Sequence, residues 1–128
     1  MIVVDSSGWL EFLTNGPLAD EYAARLRQPA TVITPTIVLY EVYKHSKRLR
    51  GEEGAIDAVA AMQKTRLVPL NDELALVAAD LSLEHKLPMA DAIVLATARL
   101  HEAEVVTSDA DFQGIDGVAY IPKKSDRE

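Results

Sequence analysis

Short apolar runs alternate along the chain with longer stretches in which apolar residues recur every three or four positions. The short runs predict buried strands, and the longer stretches predict amphipathic helices. The expected strands are residues 2–4, 31–34, 66–69 and 104–107, with a fifth at 118–121. Strands separated by helices form parallel sheets that are covered on both faces. We therefore expect an α/β protein with three layers, α/β/α, around a parallel sheet of four to five strands.

Residues that favour helix ends separate these strands. The expected helices are 7–13, 18–26, 35–50 and 53–63, one that Asn71 caps, and one from Pro88 to about residue 102. Pro35 suits the first turn of the long third helix, and Gly51 is expected to end it. In sheets of this kind, ligands bind beyond the carboxyl ends of the strands. Functional residues are therefore expected just after each strand.

The composition is that of one globular domain. The chain has 128 residues, of which 48% are hydrophobic. We expect residues 1–122 to form a single domain, followed by a polar tail at 123–128. The chain has no cysteine, which excludes disulfides and thiolate metal sites. We find neither a signal peptide nor an apolar run long enough to cross a bilayer, so a soluble cytoplasmic protein is expected.

The charge balance is acidic, but the basic residues are clustered. Twenty acids against 13 bases give a formal net charge of −7, which is unusual for a protein that binds nucleic acid. Four bases, Lys44, Lys47, Arg48 and Arg50, nevertheless lie within seven positions. This basic cluster is either a solvated helix face or a surface that contacts phosphates.

Two acids follow expected strands. Asp5 comes directly after the first strand, and Asp109 follows the fourth, with Asp111 two positions later. A single Asp in such a place is often only a helix cap or a turn residue. Two acids two positions apart are harder to explain in that way.

Two further acids lie in expected first turns of helices. Asp91 is surrounded by apolar residues, although an acid there is also stabilised by the helix dipole. Glu41 lies on the apolar stripe of its helix, which is formed by Val38, Val42 and Leu49. An ionised Glu on such a stripe costs several kcal/mol unless it is paired or binds a cation. Arg48 or Lys44 could pair with it.

All four acids could meet at the carboxyl edge of the sheet. Carboxylates 4 Å apart repel each other by roughly 4 kcal/mol at an effective dielectric near 20. An oxygen-rich cluster without cysteine is compensated best by a hard divalent cation such as Mg²⁺ or Mn²⁺. The pattern therefore predicts a metal site, with hydrolysis by a water that the cation activates.

Four short motifs resemble the PIN-domain family and, within it, the VapC toxins. They are Val3-Val4-Asp5-Ser6-Ser7, Val38-Leu39-Tyr40-Glu41-Val42, Leu87-Pro88-Met89-Ala90-Asp91-Ala92 and Thr107-Ser108-Asp109-Ala110-Asp111-Phe112. Each motif alone is weak, but the four in this order cover essentially the whole chain. The resemblance implies a PIN-like fold and an endoribonuclease that depends on Mg²⁺, with Mn²⁺ as a substitute.

The resemblance also implies roles for particular residues. Asp5, Glu41, Asp91 and Asp109 would be the catalytic and metal-binding quartet, and Asp111 an accessory ligand. Ser6 and Thr107 resemble family hydroxyls that support the metal ligands, although a serine that starts a helix and a threonine in a strand are also ordinary. Lys44, Lys47 and Arg48 would contact the RNA backbone. The histidines, His45, His85 and His101, are interpreted as surface or packing residues.

Partners are implied in the same way. The resemblance implies a homodimer and an antitoxin protein whose C-terminal segment blocks the active site. Trp9 and its apolar neighbours on the first helix, with Tyr40 and Tyr43 on the third, are either core residues or part of such interfaces.

Other classes of protein fit the sequence less well. A phosphoryl-accepting regulator needs a Lys after a late strand, and none follows the fourth strand. A haloacid-dehalogenase-like phosphatase needs a second Asp where Ser7 stands. The remaining alternative is a catalytically silent PIN-like binding module, although such a protein would be expected to lack one or more of the four acids.

Overall fold

Five parallel strands form one sheet in the computed structural model, which describes residues 1–123. The strands are β1 (Ile2–Val4), β2 (Val32–Pro35), β3 (Arg66–Val68), β4 (Glu104–Thr107) and β5 (Val118–Tyr120). Their spatial order is β3-β2-β1-β4-β5, and every neighbouring pair is parallel. The expected α/β class and the fifth strand are therefore confirmed. Of the expected tail, residues 124–128 lie outside the described range.

Five helices connect the strands in this range. They are α1 (Ser6–Leu13), α2 (Ala19–Arg25), α3 (Thr36–Met62), α4 (Asp72–His85) and α5 (Met89–Leu100). The right-handed rule for crossovers between parallel strands predicts α1, α2 and α3 on one face of the sheet and α4 and α5 on the other. Two short 3₁₀ turns, Pro29–Thr31 and Ala110–Phe112, were not predicted. Within residues 1–123, none of the helices is long and apolar enough to span a bilayer.

The helix boundaries largely follow the expected signals. Asn71 caps α4 through a 2.9 Å hydrogen bond from the Leu74 amide to Asn71 Oδ1. Gly51 interrupts α3 with φ 73° and ψ −168°, a conformation that glycine adopts readily. Pro35 lies one position earlier than predicted, as the last residue of β2 and the N-cap of α3.

Leu49 does not lie on the buried stripe of α3, contrary to the prediction. Val38 and Val42 are fully buried, but 61% of Leu49 is exposed. The four residues of β2 extend about 13 Å, whereas the helix from Pro35 to Leu49 extends about 21 Å. The helix therefore runs past the sheet before it reaches Leu49.

The direction of the chain reverses next to β1. The path runs from β1 to β2 and β3 on one side, and then crosses to β4 and β5 on the other side. Val4 of β1 is in register with Val106 of β4, and the Asp5 amide donates to the Val106 carbonyl at 3.3 Å. Residues that follow these two central strands are therefore neighbours at a topological switch point, where open α/β sheets bind ligands.

Candidate active site

Asp5 begins the site at the end of β1. It is the N-cap of α1, and its side chain is only 3% exposed. Asp5 Oδ1 accepts hydrogen bonds from the Ser7 hydroxyl (2.7 Å) and the Gly8 amide (3.3 Å). The capping role that the sequence suggested is thus real, but it uses only one of the two carboxylate oxygens.

The second oxygen of Asp5 faces β4. Thr107 Oγ1 donates to Asp5 Oδ2 at 2.6 Å and accepts from the Asp109 amide at 2.9 Å. Thr107 is fully buried. One hydroxyl therefore connects the acid after β1 to the backbone of the acid after β4, and the hydroxyl expected beside the acids is in contact with Asp5.

Asp109, Asp91 and Asp111 form a close group. Each offers a carboxylate oxygen, and these oxygens lie within 4.8 Å of one another. Asp109 caps the turn that follows β4 by accepting a 2.9 Å hydrogen bond from the Asp111 amide. Asp91 and Asp109 are half-buried, whereas Asp111 is exposed. Asp111 therefore lies at the rim of the group.

Asp91 is in the first turn of α5, as predicted, and its carboxyl group favours the protonated form. Burial raises the pKa of Asp91 to about 8, with further contributions from the charges of Asp109 and Asp5 and a hydrogen bond to Asp109. Two carboxyl groups can share a hydrogen bond only if one of them carries a proton. The raised pKa of Asp91 means that a bound dication would compete with a proton for its carboxylate.

Glu41 lies in the second turn of α3, the helix that follows β2, one turn later than predicted. Partial burial raises its pKa, a hydrogen bond with Ser6 lowers it, and the charge of Asp109 raises it. Within residues 1–123, no basic side chain forms an ion pair with Glu41. Arg48, one expected partner, instead contacts His45 Nδ1 at 2.9 Å. The hydrogen bond between Ser6 and Glu41 places Ser6 beside the acids, as expected.

The negative charge of Asp109 acts on the other three acids. It raises the pKa of Asp5, Glu41 and Asp91. For Asp5 the larger cause is burial, which raises the pKa to about 6 although three hydrogen bonds lower it. The oxygens of Asp91, Asp109 and Asp111 form the close group, whereas Asp5 and Glu41 lie outside it but within range of the charge of Asp109. An all-oxygen donor set of this kind fits a hard divalent cation.

Sequence reasoning missed a second set of contacts behind Asp5. Ser7 Oγ accepts from the Ser108 amide at 3.2 Å while it donates to Asp5. Ser108 Oγ in turn lies 2.6 Å from the Tyr22 hydroxyl. Tyr22 is fully buried, and burial raises its pKa to about 12. A Cβ at Gly8 would collide with the Tyr22 ring, so glycine permits this approach.

The sequence signals that could have revealed Ser7 and Tyr22 differ. Ser7 follows the capping Asp5 by two positions, which is a recognisable turn pattern. Tyr22 lies 86 positions from Ser108, and nothing in the sequence around it indicated the contact.

The expected phosphate-binding residues lie beside Glu41. A cavity of about 220 Å³ is lined by Tyr40, Glu41, Lys44, His45 and Arg48. Lys47 lines the neighbouring depression and forms a 3.0 Å ion pair with Glu52. His45, which we expected to be only a surface or packing residue, therefore lines the cavity that contains an acid of the quartet.

Comparison with known proteins gives one family match and several similar structures. A family model described as PIN domain matches residues 2–118. A toxin–antitoxin complex from Klebsiella pneumoniae is 27% identical, with a TM-score of 0.80, and the match covers 93% of this chain and 96% of that chain. No curated protein matches the chain.

Two further structures share the fold at lower identity. VapC20 of Mycobacterium tuberculosis, described as a sarcin–ricin loop cleaving toxin, is 24% identical with a TM-score of 0.75, over 92% of this chain and 97% of that chain. A DNA-bound VapBC structure from Salmonella typhimurium is 15% identical with a TM-score of 0.74, over 94% and 96% of the two chains.

Proposed function

Since the chain belongs to the PIN domain family, we propose that it is a metal-dependent endoribonuclease and the toxin of a toxin–antitoxin pair. The observation that carries this proposal is the close group of Asp91, Asp109 and Asp111 at the switch point, with Asp5 and Glu41 near enough for the charge of Asp109 to raise their pKa. Such a group of acids destabilises the metal-free protein, which is the opposite of what a purely structural role requires. The acids are therefore assigned to binding a cation.

The similar structures support RNA as the substrate and an antitoxin as the partner. The structure from Klebsiella pneumoniae is a toxin–antitoxin complex, and the toxin from Mycobacterium tuberculosis is described as cleaving the sarcin–ricin loop. By analogy, the chain hydrolyses RNA phosphodiester bonds in the cytoplasm and is inhibited by an antitoxin protein. We also propose a homodimer, in which residues 1–122 form the catalytic domain.

The quartet would hold Mg²⁺, or Mn²⁺ in its place, with Asp111 as an accessory ligand from the rim. When bound, the cation would supply positive charge for the scissile phosphate and activate a water molecule. Ser7 and Thr107 orient the two oxygens of Asp5, so this ligand is held before the cation binds. Ser6 has the same role for Glu41.

Lys44, Lys47 and Arg48 would bind the RNA backbone next to Glu41. They neutralise phosphates and offset the repulsion between RNA and a protein whose formal net charge is −7. No histidine is needed as a general base, because the activated water requires only the cation and the carboxylates.

Cleavage of purified total RNA tests the function. Wild-type protein, freed of antitoxin, is compared with Asp5→Asn and with Asp57→Asn, an exposed acid on α3, each with Mg²⁺, Mn²⁺ or EDTA. Discrete fragments are expected from wild type and Asp57→Asn with either metal, and none from Asp5→Asn or with EDTA. Folded protein that cleaves nothing with any metal would instead identify a catalytically silent binding module.

A further inference from the structure

An aromatic and basic surface lies on α3 beside Glu41. We call it the tyrosine–lysine face, and it consists of Tyr40, Tyr43, Lys44, Lys47 and Arg48, which line one depression of about 470 Å³. Tyr40 is 57% exposed and Tyr43 is 36% exposed, so both rings are accessible from solvent. The sequence suggested that these tyrosines were core or interface residues, and the exposure excludes the core.

Each tyrosine contacts a lysine one turn further along the helix. Lys44 Nζ lies 5.5 Å from the centre of the Tyr40 ring and donates to its hydroxyl at 3.5 Å. Lys47 Nζ lies 5.4 Å from the centre of the Tyr43 ring and donates to its hydroxyl at 3.2 Å. Each lysine therefore lies beside a ring that remains partly exposed, so a planar ligand that carries a phosphate can contact a ring and a cation together.

The positive charges on this face are only partly compensated. Lys47 pairs with Glu52, but no carboxylate forms an ion pair with Lys44 or Arg48 in the part of the chain that the structure describes. The rest of the protein is acidic, with 20 acids against 13 bases overall. The face is thus a local site for an anion on a protein that otherwise repels anions.

The face is continuous with the acidic site. Tyr40, Lys44 and Arg48 line both the depression on this face and the smaller cavity that contains Glu41. A ligand whose phosphate lies next to Glu41 therefore places the neighbouring part of the molecule beside the tyrosine rings.

We propose that Tyr40 and Tyr43 form a base-stacking subsite for unpaired nucleobases next to the scissile phosphate, with Lys44 and Arg48 on the adjoining phosphates. This inference rests on the proposed ribonuclease function. Aromatic side chains bind single-stranded RNA through the faces of splayed bases, and the contact tolerates any base. Bases inside a duplex already stack on their neighbours, so the subsite selects single-stranded or looped RNA.

An RNA strand fits these observations better than a protein partner does. A protein would need carboxylates for Lys44 and Arg48 together with apolar groups for the rings. An RNA strand carries a phosphate and a base in every nucleotide, and so supplies anions for Lys44 and Arg48 together with planar groups for the two rings. The cavity that contains Glu41 adjoins this face, so an RNA strand bound to the face leads toward the acidic site.

Binding measured in the Asp5→Asn background with Mg²⁺ tests the subsite, because cleavage is then absent. The probe is a fluorescently labelled, mixed-sequence single-stranded RNA, with a hairpin-capped duplex RNA as a comparison. Tyr40→Leu and Tyr43→Leu are each expected to weaken binding of the single strand about tenfold and binding of the duplex less than twofold. Tyr40→Phe and Tyr43→Phe keep the rings and are expected to stay within twofold of the parent.

Other outcomes overturn the subsite and separate it from the function. If the Leu variants bind the single strand as the parent does, the stacking role is wrong, although the ribonuclease assignment stands. If the Leu variants instead lower the molar mass measured by analytical ultracentrifugation, the tyrosine–lysine face is a dimer interface. If no variant binds RNA, or Asp5→Asn still cleaves it, the proposed function is itself wrong. Lys64→Ala, which removes an exposed charge elsewhere, controls for a general loss of positive charge.

Discussion

The Thr107 hydroxyl donates a 2.6 Å hydrogen bond to Oδ2 of Asp5, a residue 102 positions away in the chain. The same hydroxyl accepts from the Asp109 amide at 2.9 Å. One side chain on β4 therefore sets the position of both acids at the switch point. This relationship makes Thr107 a positioning residue whose loss should change metal binding more than folding.

Thr107→Val keeps the shape of the side chain and removes its hydroxyl. We expect Mg²⁺ affinity to fall about 10- to 100-fold, because Asp5 loses an orienting partner. Stability should fall by about 1–3 kcal/mol, since the Asp109 amide also loses its acceptor. Calorimetric Mg²⁺ titration and urea denaturation measure the two effects. Thr97→Val is the matched control, because its buried hydroxyl donates to the Ile93 carbonyl within α5, and its loss should leave Mg²⁺ affinity unchanged.

Tyr22→Phe removes the hydroxyl that contacts Ser108 while the ring stays packed. We expect a loss of about 1 kcal/mol in stability and a few-fold weaker Mg²⁺ binding, because the loop that carries Asp109 is less well held. Tyr120→Phe on β5 is the control for removing a tyrosine hydroxyl. Equal metal affinity in Tyr22→Phe and wild type would show that the Ser108 contact has only a structural role.

Stability without metal should decrease as the pH rises. Burial and neighbouring charges raise the pKa of Asp5 to about 6 and that of Asp91 to about 8. The folded protein therefore binds protons that the unfolded chain releases near pH 4, and the stabilisation is lost as the pH passes through 6 and then 8. We expect the melting temperature in EDTA to fall between pH 5 and pH 9.

Asp91→Asn and Mg²⁺ provide the controls for this pH dependence. In Asp91→Asn, the melting temperature in EDTA should no longer decrease near pH 8, because an amide does not titrate. Added Mg²⁺ should raise the melting temperature more at pH 9 than at pH 6, since it competes with protons for the same oxygens. A melting temperature in EDTA that rises through this range, in wild type and variant alike, would contradict the raised pKa values.

Asp109 and Asp111 should differ in their effects although they are two positions apart. Asp109 influences Asp5, Glu41 and Asp91, whereas Asp111 is exposed at the rim. Asp109→Asn is expected to lower the cleavage rate at least 100-fold, and Asp111→Asn less than tenfold. Initial rates of RNA cleavage at saturating Mg²⁺ measure both. Comparable losses in the two variants would make Asp111 a full member of the metal site.

Much of the fold could be predicted because its signals are local. The apolar runs marked all five strands to within a few residues, and Asn71 and Gly51 marked a helix start and a helix break. These residues act through their own backbone conformation and nearest neighbours, so their effects do not depend on the rest of the chain. The exposed Leu49 shows the limit of this reasoning, because helical periodicity does not say where the sheet beneath the helix ends.

The sequence by itself therefore determined the α/β class, the strand positions and, through four motifs, the acids that were expected to meet. Only the tertiary structure decided how those acids are held: Thr107 against Asp5, Ser6 against Glu41, and Tyr22 behind Ser108. Among the residues that the structure describes, it also left Glu41 without an ion pair to the bases that its own helix carries. The reason is that these contacts join residues from different elements, and their distances depend on strand register and helix packing, which no local pattern encodes.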